Sequence, residues 1–276
     1  MMASSTDKGG PADHILGFAR SVLSHRLGQG RHEPHEVFQT STMLSLVEGL
    51  YDGNVEYRTV MRHGDFGVGT FNALDGEMVA VDGKFFRLRD DGTVTSVSGD
   101  ELTPFAAVTY FRPSIDHREE SVLSRAKCEE VIRSLAASDN LFYALRIDGH
   151  FRSILTRTVS KKSKPYPRLV DAAAAERIVT LADTVGSIVG FHSPDYAQGI
   201  TVAGFHLHFL SSDHRLGGHV ADFTVDSPRI RIDTEGELHL SLQATEEFLA
   251  TRFSGDVSAE ITNAEMSSLA PAEPPD

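Results

Sequence analysis

The sequence predicts an α/β fold dominated by strands, in which a mixed N-terminal β-sheet packs on a smaller β-rich C-terminal part. Short runs rich in β-branched and aromatic residues recur along the 276 residues, while helical periodicity is confined to a few segments. Turn signals such as Asp75-Gly76 and Gly217-Gly218 separate neighbouring runs, as is typical of strands that pair with the next strand along the chain. These observations favour antiparallel or mixed sheets over repeated βαβ units.

Composition divides the chain into four predicted parts. Residues 1–33 are predicted to be a poorly ordered lead, and the Pro-rich residues 267–276 a disordered tail. Between them we expect an N-terminal mixed-sheet part over residues 34–170 and a C-terminal part over residues 171–266.

The N-terminal part begins with a helix, indicated by apolar residues at helical spacing from Met43 to Leu50. Gly67 and Gly69 favour close backbone packing and not a nucleotide loop, because no third glycine or Lys-Ser/Thr pair follows. Asp75-Gly76 between two apolar runs predicts a β-hairpin. The other elements expected here are strands at 85–88, 93–97, 105–111, 142–147 and 151–158, and a helix at 119–137.

The C-terminal part follows an extended loop, which Pro165 and Pro167 predict because proline disfavours helix. The elements expected in it are a short helix at 171–175, strands at 187–192, 204–210, 219–225, 230–232 and 238–242, and a helix at 245–252.

Charge and composition exclude several classes of function. The formal net charge of −13 argues against nucleic-acid binding, because phosphates repel an acidic protein. No apolar stretch approaches the roughly 20 residues of a membrane helix. Residues 1–10 contain no apolar run of the kind found in secretory signals, so we expect a cytoplasmic location. Cys128 is the single cysteine, which rules out an intrachain disulfide.

A histidine pattern near residue 210 is the main functional signal. In a strand, Phe205, Leu207 and Phe209 share one face, so His206 and His208 share the other. Turn-forming residues follow, and they predict that the chain reverses and returns His219 on a neighbouring strand. Three imidazoles are the ligand set of a zinc site with an open position. His214 is a competing third ligand in the turn, and a plain polar strand face is the alternative interpretation.

Three charged residues are weaker candidates for catalysis. Glu77 follows a tight turn, Arg157 lies in a strand-like run, and Glu265 lies close to the C-terminal end. Taken alone, each is more typical of a solvated surface charge than of a catalytic group.

The chain resembles the α-acetolactate decarboxylase family over about residues 36–265. The resemblance is carried by runs that include Asp52-Gly53, His63-Gly64-Asp65-Phe66-Gly67-Val68-Gly69-Thr70-Phe71-Asn72-Ala73-Leu74-Asp75-Gly76-Glu77-Met78, Thr103-Pro104-Phe105, Arg157-Thr158-Val159, Pro165-Tyr166-Pro167, Gly204-Phe205-His206-Leu207-His208-Phe209 and Gly217-Gly218-His219-Val220. It implies that zinc binds to His206, His208 and His219. It also implies that the two active-site glutamates are Glu77 and Glu265, that the active-site arginine is Arg157, and that Thr70 lies in the same site.

The reaction that this resemblance implies is the zinc-dependent decarboxylation of 2-acetolactate to acetoin and CO2 through a metal-stabilised enediolate. The substrate is a β-keto acid, so its own ketone accepts the electron pair and neither a thiamine nor a pyridoxal cofactor is needed. Arg157 can hold a carboxylate through forked donors, and a glutamate can move the proton that completes acetoin. Whether Glu77 or Glu265 moves it, and whether Glu265 also binds zinc, is left open.

Two alternatives remain at this stage. A cupin-type metal-dependent oxygenase also uses His-x-His on a strand, although the glutamate usual beyond that pair is missing here. A non-catalytic metal-binding or sensor domain would have no need of Glu77, Arg157 and Glu265. We also consider a homodimer possible, because an exposed sheet edge can support one.

A single site that contains all of these residues requires the fold to bring them close together. We expect the N-terminal sheet to carry Glu77 and Arg157, both within about 15 Å of the histidines, since a small substrate must touch all of them. The tail must fold back over the metal cleft to bring Glu265 there, with Val257, Ile261 and Met266 as its apolar anchors.

Overall fold

The computed structural model of the chain describes residues 35–174, 176–253 and 257–266, with side chains described as far as residue 263. The lead expected at residues 1–33 and the tail expected at 267–276 lie outside the described residues. The longest helix within the described ranges has 11 residues, short of the roughly 20 that crossing a bilayer requires.

Fifteen strands form most of the regular structure in the described part of the chain. They are β1 (Glu36–Thr40), β2 (Val55–Glu56), β3 (Phe66–Thr70), β4 (Glu77–Val81), β5 (Lys84–Leu88), β6 (Val94–Ser96), β7 (Leu102–Thr103), β8 (Ala106–Thr109), β9 (Ile115–Arg118), β10 (Val122–Ser124), β11 (Phe142–Thr158), β12 (Arg177–Ser193), β13 (Gly204–Ser211), β14 (Gly217–Glu235) and β15 (Glu237–Ser241). The α-helices are α1 (Met43–Val47), α2 (Tyr57–Val60), α3 (Arg125–Leu135), α4 (Leu169–Ala173), α5 (Glu246–Ala250) and α6 (Ser258–Met266).

The first sheet has seven strands in the order β15-β1-β8-β3-β4-β5-β6. Its strands are antiparallel except for β15 and β1, which run parallel, so the predicted mixed sheet is confirmed. The hairpin predicted at Asp75-Gly76 joins β3 to β4 and pairs Thr70 with Glu77.

The second sheet contains the longest strands of the molecule. Its strand order is β10-β14-β11-β12-β13, and β9 also pairs with β14. The first residues of β14 pair in addition with β13, so the sheet closes on itself between these two strands. One face is apolar and packs around Phe151, Phe209 and Phe223, with α3 lying against it. The opposite face contributes Val189 and Leu210 to the core shared with the first sheet.

Long-range pairing changes three of the expectations. Strands β11 and β12 lie on either side of residue 170 yet pair along most of their length, and β15 returns to β1, so residue 170 does not separate the two sheets. Arg157, expected in the N-terminal sheet, therefore lies on β11 in the histidine sheet. The helix expected at 119–137 begins at Arg125, because Ser124 caps it and β10 occupies the preceding residues.

A third layer consists of helices. Side chains of α1, α4 and α6 form an apolar cluster that includes Met43, Leu46, Leu169 and the fully buried Ile261. This helical layer lies beside the histidine face of the second sheet, because Met43, Leu46 and Leu169 line the same cavity as the histidines.

Candidate functional site

Strand alternation brings His206 and His208 together. Their ring centroids lie 5.1 Å apart on the face of β13 opposite Leu207 and Phe209, which are buried in the apolar core as expected. Gly190 on β12 allows the close approach of β13, because a Cβ atom there would lie 2.0 Å from the carbonyl oxygen of His206.

The hairpin between β13 and β14 returns His219 to the pair. It is in register with His208, and its ring lies 5.3 Å from the rings of both other histidines. One nitrogen from each of the three imidazoles lies within 4.8 Å of the others, and all three residues are buried. The structure therefore brings together the three residues predicted as metal ligands.

His214 lies on the other side of this turn. Its φ of +56° places it in the left-handed region, where the turn reverses, and it is exposed. Its ring packs against Phe86, with 4.6 Å between centroids. The Ser211 hydroxyl oxygen accepts the N–H groups of Arg215 and Leu216, which closes the turn and directs His214 away from the other histidines.

Burial keeps the three imidazoles neutral. It lowers the pKa of His206 to about 4, with the nearby positive charge of Arg157 as the second cause. Burial also lowers the pKa of His208 and of His219 well below the usual value, and the positive charge of Arg157 adds to the effect at both. A metal binds to neutral imidazole, so these side chains are in the required protonation state at neutral pH.

The hydrogen bonding of His208 fits a metal ligand. Its Nδ1 donates to the carbonyl oxygen of Met78 at 3.0 Å, which fixes the tautomer and leaves the lone pair on Nε2. That Nε2 is buried and has no hydrogen-bond partner within the described part of the chain. A buried acceptor without a partner is costly, and a metal ion would satisfy it. The residues present therefore fit a metal ion.

The β3–β4 hairpin brings Glu77 and Thr70 to the histidines from the first sheet. The Glu77 carboxylate lies 3.8 Å from Nε2 of His208. The Thr70 hydroxyl donates to the carbonyl oxygen of Gly76 at 2.9 Å, and the Thr70 carbonyl accepts from the hydroxyls of Tyr57 and Thr103, each at 2.8 Å. These bonds hold the residues on both sides of the hairpin turn in place.

Arg157 reaches the same point along β11. It is in register with His219 on the neighbouring strand, so it lies well within the distance that the combined site requires. Its Nη1 donates to the Glu176 carboxylate at 3.0 Å, and the two side chains are 5% and 8% exposed. Sequence reasoning missed Glu176, because an isolated acidic residue after four alanines carries no local signal.

These side chains surround one cavity of about 50 Å³. Its polar wall holds the three histidines, Glu77, Thr70, Arg157 and Glu176, and its apolar wall consists of Met43, Leu46, Leu74, Phe105, Val159 and Leu169. A polar wall opposite an apolar wall suits a metal ion together with a small acid that carries methyl groups.

The C-terminal segment returns as helix α6 to pack on α1 and α4, whose residues line this cavity. Val257 and Ile261 are buried against α1 and α4, as expected for a tail that folds back, and Glu260 forms an ion pair with Arg168 at 2.8 Å. The backbone of Glu265 lies in this helix. The side chains of Glu265 and Met266, both named in the predictions, lie outside the described residues.

Comparisons with known proteins agree on one family. A family model described as alpha-acetolactate decarboxylase matches residues 37–255. The alpha-acetolactate decarboxylase of Bacillus licheniformis is 43% identical over 231 residues, which cover 83% of this chain and 91% of that protein. The corresponding protein of Bacillus subtilis is 42% identical over 227 residues, covering 82% and 88%.

Structural comparison gives the same result. A crystal structure of acetolactate decarboxylase from Bacillus subtilis subspecies spizizenii superposes with a TM-score of 0.82 at 41% identity, covering 83% of this chain and 100% of that chain. The strand-rich α/β fold class is therefore confirmed, and the cupin-type oxygenase alternative is not favoured.

Proposed function

The chain belongs to the alpha-acetolactate decarboxylase family, and we propose that it uses a zinc ion on His206, His208 and His219 to decarboxylate 2-acetolactate. Conversion of acetolactate to acetoin and CO2 is the function of this family, so the chain is a carboxy-lyase that acts on a small molecule.

One observation carries the proposal. Three neutral imidazoles, a carboxylate and a guanidinium line the same small, largely buried cavity, although they come from two different sheets. A sensor domain has no need of Glu77 and Arg157 beside its metal ligands. A decarboxylase of a β-keto acid needs a site for the ketone, a site for the carboxylate and a proton carrier.

Zinc is the metal that the donor set favours. Imidazole nitrogens suit zinc better than they suit Mg²⁺ or Ca²⁺, which prefer oxygen ligands. Three protein ligands leave positions open for substrate oxygens. When bound, the ion supplies a Lewis acid that offsets negative charge developing on the ketone oxygen.

Arg157 is assigned to the substrate carboxylate. A guanidinium presents planar, forked N–H donors that match a carboxylate in two parallel hydrogen bonds. Holding the carboxylate in this way fixes the direction in which CO2 departs relative to the ketone. The apolar wall, including Leu46 and Phe105, suits the two methyl groups of the substrate and excludes water.

Glu77 is assigned to proton transfer. Its carboxylate lies 3.8 Å from Nε2 of His208, so it is within reach of a substrate bound next to that nitrogen. Thr70, which is paired with Glu77 across the hairpin, supports that position. Glu265 is the second candidate, as a proton carrier or an additional metal ligand, because the family resemblance aligns it with an active-site glutamate.

Other properties stay predictions. These are the cytoplasmic location, the homodimer, and the absence of nucleic-acid and membrane partners.

Product analysis tests the proposal. The purified full chain is incubated with racemic 2-acetolactate, with and without a chelator, while acetoin, CO2 and dissolved oxygen are measured. We expect acetoin and CO2 in equal amounts, no oxygen uptake, and loss of turnover with the chelator. Oxygen consumption, or turnover that survives complete removal of metal, contradicts the proposal.

A further inference from the structure

We propose that Glu176 is a positioning residue that holds the Arg157 guanidinium in the cavity and tempers its attraction for the substrate carboxylate. The inference rests on the proposed function, because it takes Arg157 as the group that binds the carboxylate. It adds a residue that neither the sequence motifs nor the family resemblance singled out.

The ion pair is buried inside the cavity wall. Arg157 Nη1 donates to Glu176 Oε2 at 3.0 Å, and both side chains are more than nine-tenths buried. Breaking a buried charge pair costs more free energy than breaking an exposed one, so this contact restricts the positions of both side chains. A charge-assisted hydrogen bond is also short and directional, which restricts the rotamers of a long arginine side chain.

The backbone of Glu176 is itself anchored. Its N–H donates to the carbonyl oxygen of Ala173 at 3.1 Å, at the end of α4. The next residue, Arg177, begins β12 and pairs with Thr158 on β11, directly beside Arg157. Glu176 therefore lies between a helix end and a strand start, and its carboxylate meets the guanidinium from a fixed direction.

The charge of Glu176 has a second effect. A carboxylate that shares the guanidinium lowers the net positive charge that an incoming acid meets. Tight binding of the substrate carboxylate stabilises the ground state, and that charge is lost as neutral CO2 departs, so tighter binding here does not accelerate the reaction. Glu176 thus supplies orientation without excess affinity for the acid.

Two substitutions of Glu176 separate its effect on the position of Arg157 from the effect of its negative charge. Glu176→Ala removes both the hydrogen bond and the charge. Glu176→Gln retains an amide oxygen that can accept from Arg157 but removes the charge. The control is Asp226→Ala, which deletes the partner of Arg152, another arginine of β11, whose Nε donates to Asp226 at 2.9 Å. Arg157→Ala reports on the assignment of Arg157 itself.

Binding of a non-reactive acid gives a readout that does not depend on turnover. The probe is 2-hydroxy-2-methylpropanoate, which has a carboxylate, a hydroxyl and methyl groups but no ketone. Its Kd is measured by calorimetry on each zinc-loaded full chain, together with zinc content and with KM and kcat for 2-acetolactate.

We expect Glu176→Ala to raise the probe Kd and the KM by about tenfold or more, the effect of losing roughly 1.4 kcal/mol of binding. Glu176→Gln should instead lower both values below those of the unsubstituted chain, by about threefold, with kcat no higher. Zinc content should stay at one per chain in both variants, and Asp226→Ala should match the unsubstituted chain.

Two results overturn the inference. One is an unchanged Kd and KM in Glu176→Ala while Arg157→Ala weakens binding. The other is weaker binding in Glu176→Gln, to the same extent as in Glu176→Ala. A failure of the proposed function is distinguishable from both, because the unsubstituted chain then forms no acetoin, or Arg157→Ala binds the probe normally.

Discussion

At the scale of single residues, His208 has the hydrogen bonding that a metal-binding histidine requires. One ring nitrogen donates to the Met78 carbonyl of the neighbouring sheet, and the other is buried without a partner in the described part of the chain. This arrangement fixes the tautomer and directs a lone pair into the cavity before any metal arrives. The first sheet therefore orients a histidine that the second sheet carries.

The role of His219 as the third proposed metal ligand can be tested by substitution. We expect His219→Ala to lose the metal and the activity together, because two imidazoles hold zinc far more weakly than three. His214→Ala is the matched control from the same hairpin, and it should retain both. Zinc content is measured by atomic absorption, and turnover by acetoin formation. Metal loss in His214→Ala with retention in His219→Ala would reverse the assignment.

The burial of a second residue, Glu235, leads us to predict that the stability of the fold depends on pH. It is fully buried, and burial followed by the charge of Asp233 raises the pKa of its carboxyl well above the usual value, while Glu36 adds to the rise and Thr109 opposes it. The folded chain keeps this proton to a higher pH than the unfolded chain does. Its contribution to stability is therefore present below about pH 4.5 and is lost as pH rises towards the folded pKa.

Glu235→Gln should remove this loss. We expect the variant and the unsubstituted chain to have similar Tm values near pH 4, and the variant to become the more stable as pH rises towards about 8. Each 1 kcal/mol of difference corresponds to roughly 2–4 °C in a chain of this size. Thermal melts of both chains across this range measure the difference, and a gap that is constant with pH contradicts the account.

At the scale of elements, helix α6 is secured by few contacts. Val257, just before the helix, and Ile261 within it are the buried apolar residues among those with described side chains, and each contributes about 1.5–3 kcal/mol of burial. The ion pair between Glu260 and the partly exposed Arg168 adds at most about 1 kcal/mol. The cores of the two sheets contain no described residue of this helix, so the sheets do not depend on it.

Truncation tests the role of α6. Ending the chain after Phe253 should leave a folded protein that binds zinc but has lost most of its turnover, because Glu265 and the cover of the cavity are gone. Ending it after Ala270 removes only the Pro-rich residues and should change nothing. Zinc content, circular dichroism and acetoin formation are compared. Full turnover by the shorter chain would mean that Glu265 takes no part in the reaction.

Local patterns predicted the elements that carry the three histidines. Alternation along β13 and the turn before Gly217 are properties of neighbouring residues, so the convergence of the histidines could be predicted from sequence. The extent of β11 could not, because Gly149 and three register shifts, near Asp148, Phe151 and Leu155, interrupt its alternation. Its length is set by pairing with β12 and β14.

At the scale of the whole molecule, the site exists because two sheets meet. Glu77 lies on the first sheet, and the histidines with Arg157 lie on the second. No sequence spacing connects residue 77 to residue 208, so their proximity was predicted from the family resemblance and not from periodicity. Neither periodicity nor the family resemblance predicted Glu176. Only the tertiary structure reveals its contact with Arg157.

Titration of the metal-free protein with zinc tests the central claim most directly. Acetoin formation from 2-acetolactate is measured after each addition of zinc to the full chain. The account predicts no turnover without metal, a linear rise up to one zinc per chain, and a plateau beyond it, with no rise in His219→Ala. Turnover in the metal-free protein, or a zinc-independent rate, would contradict it.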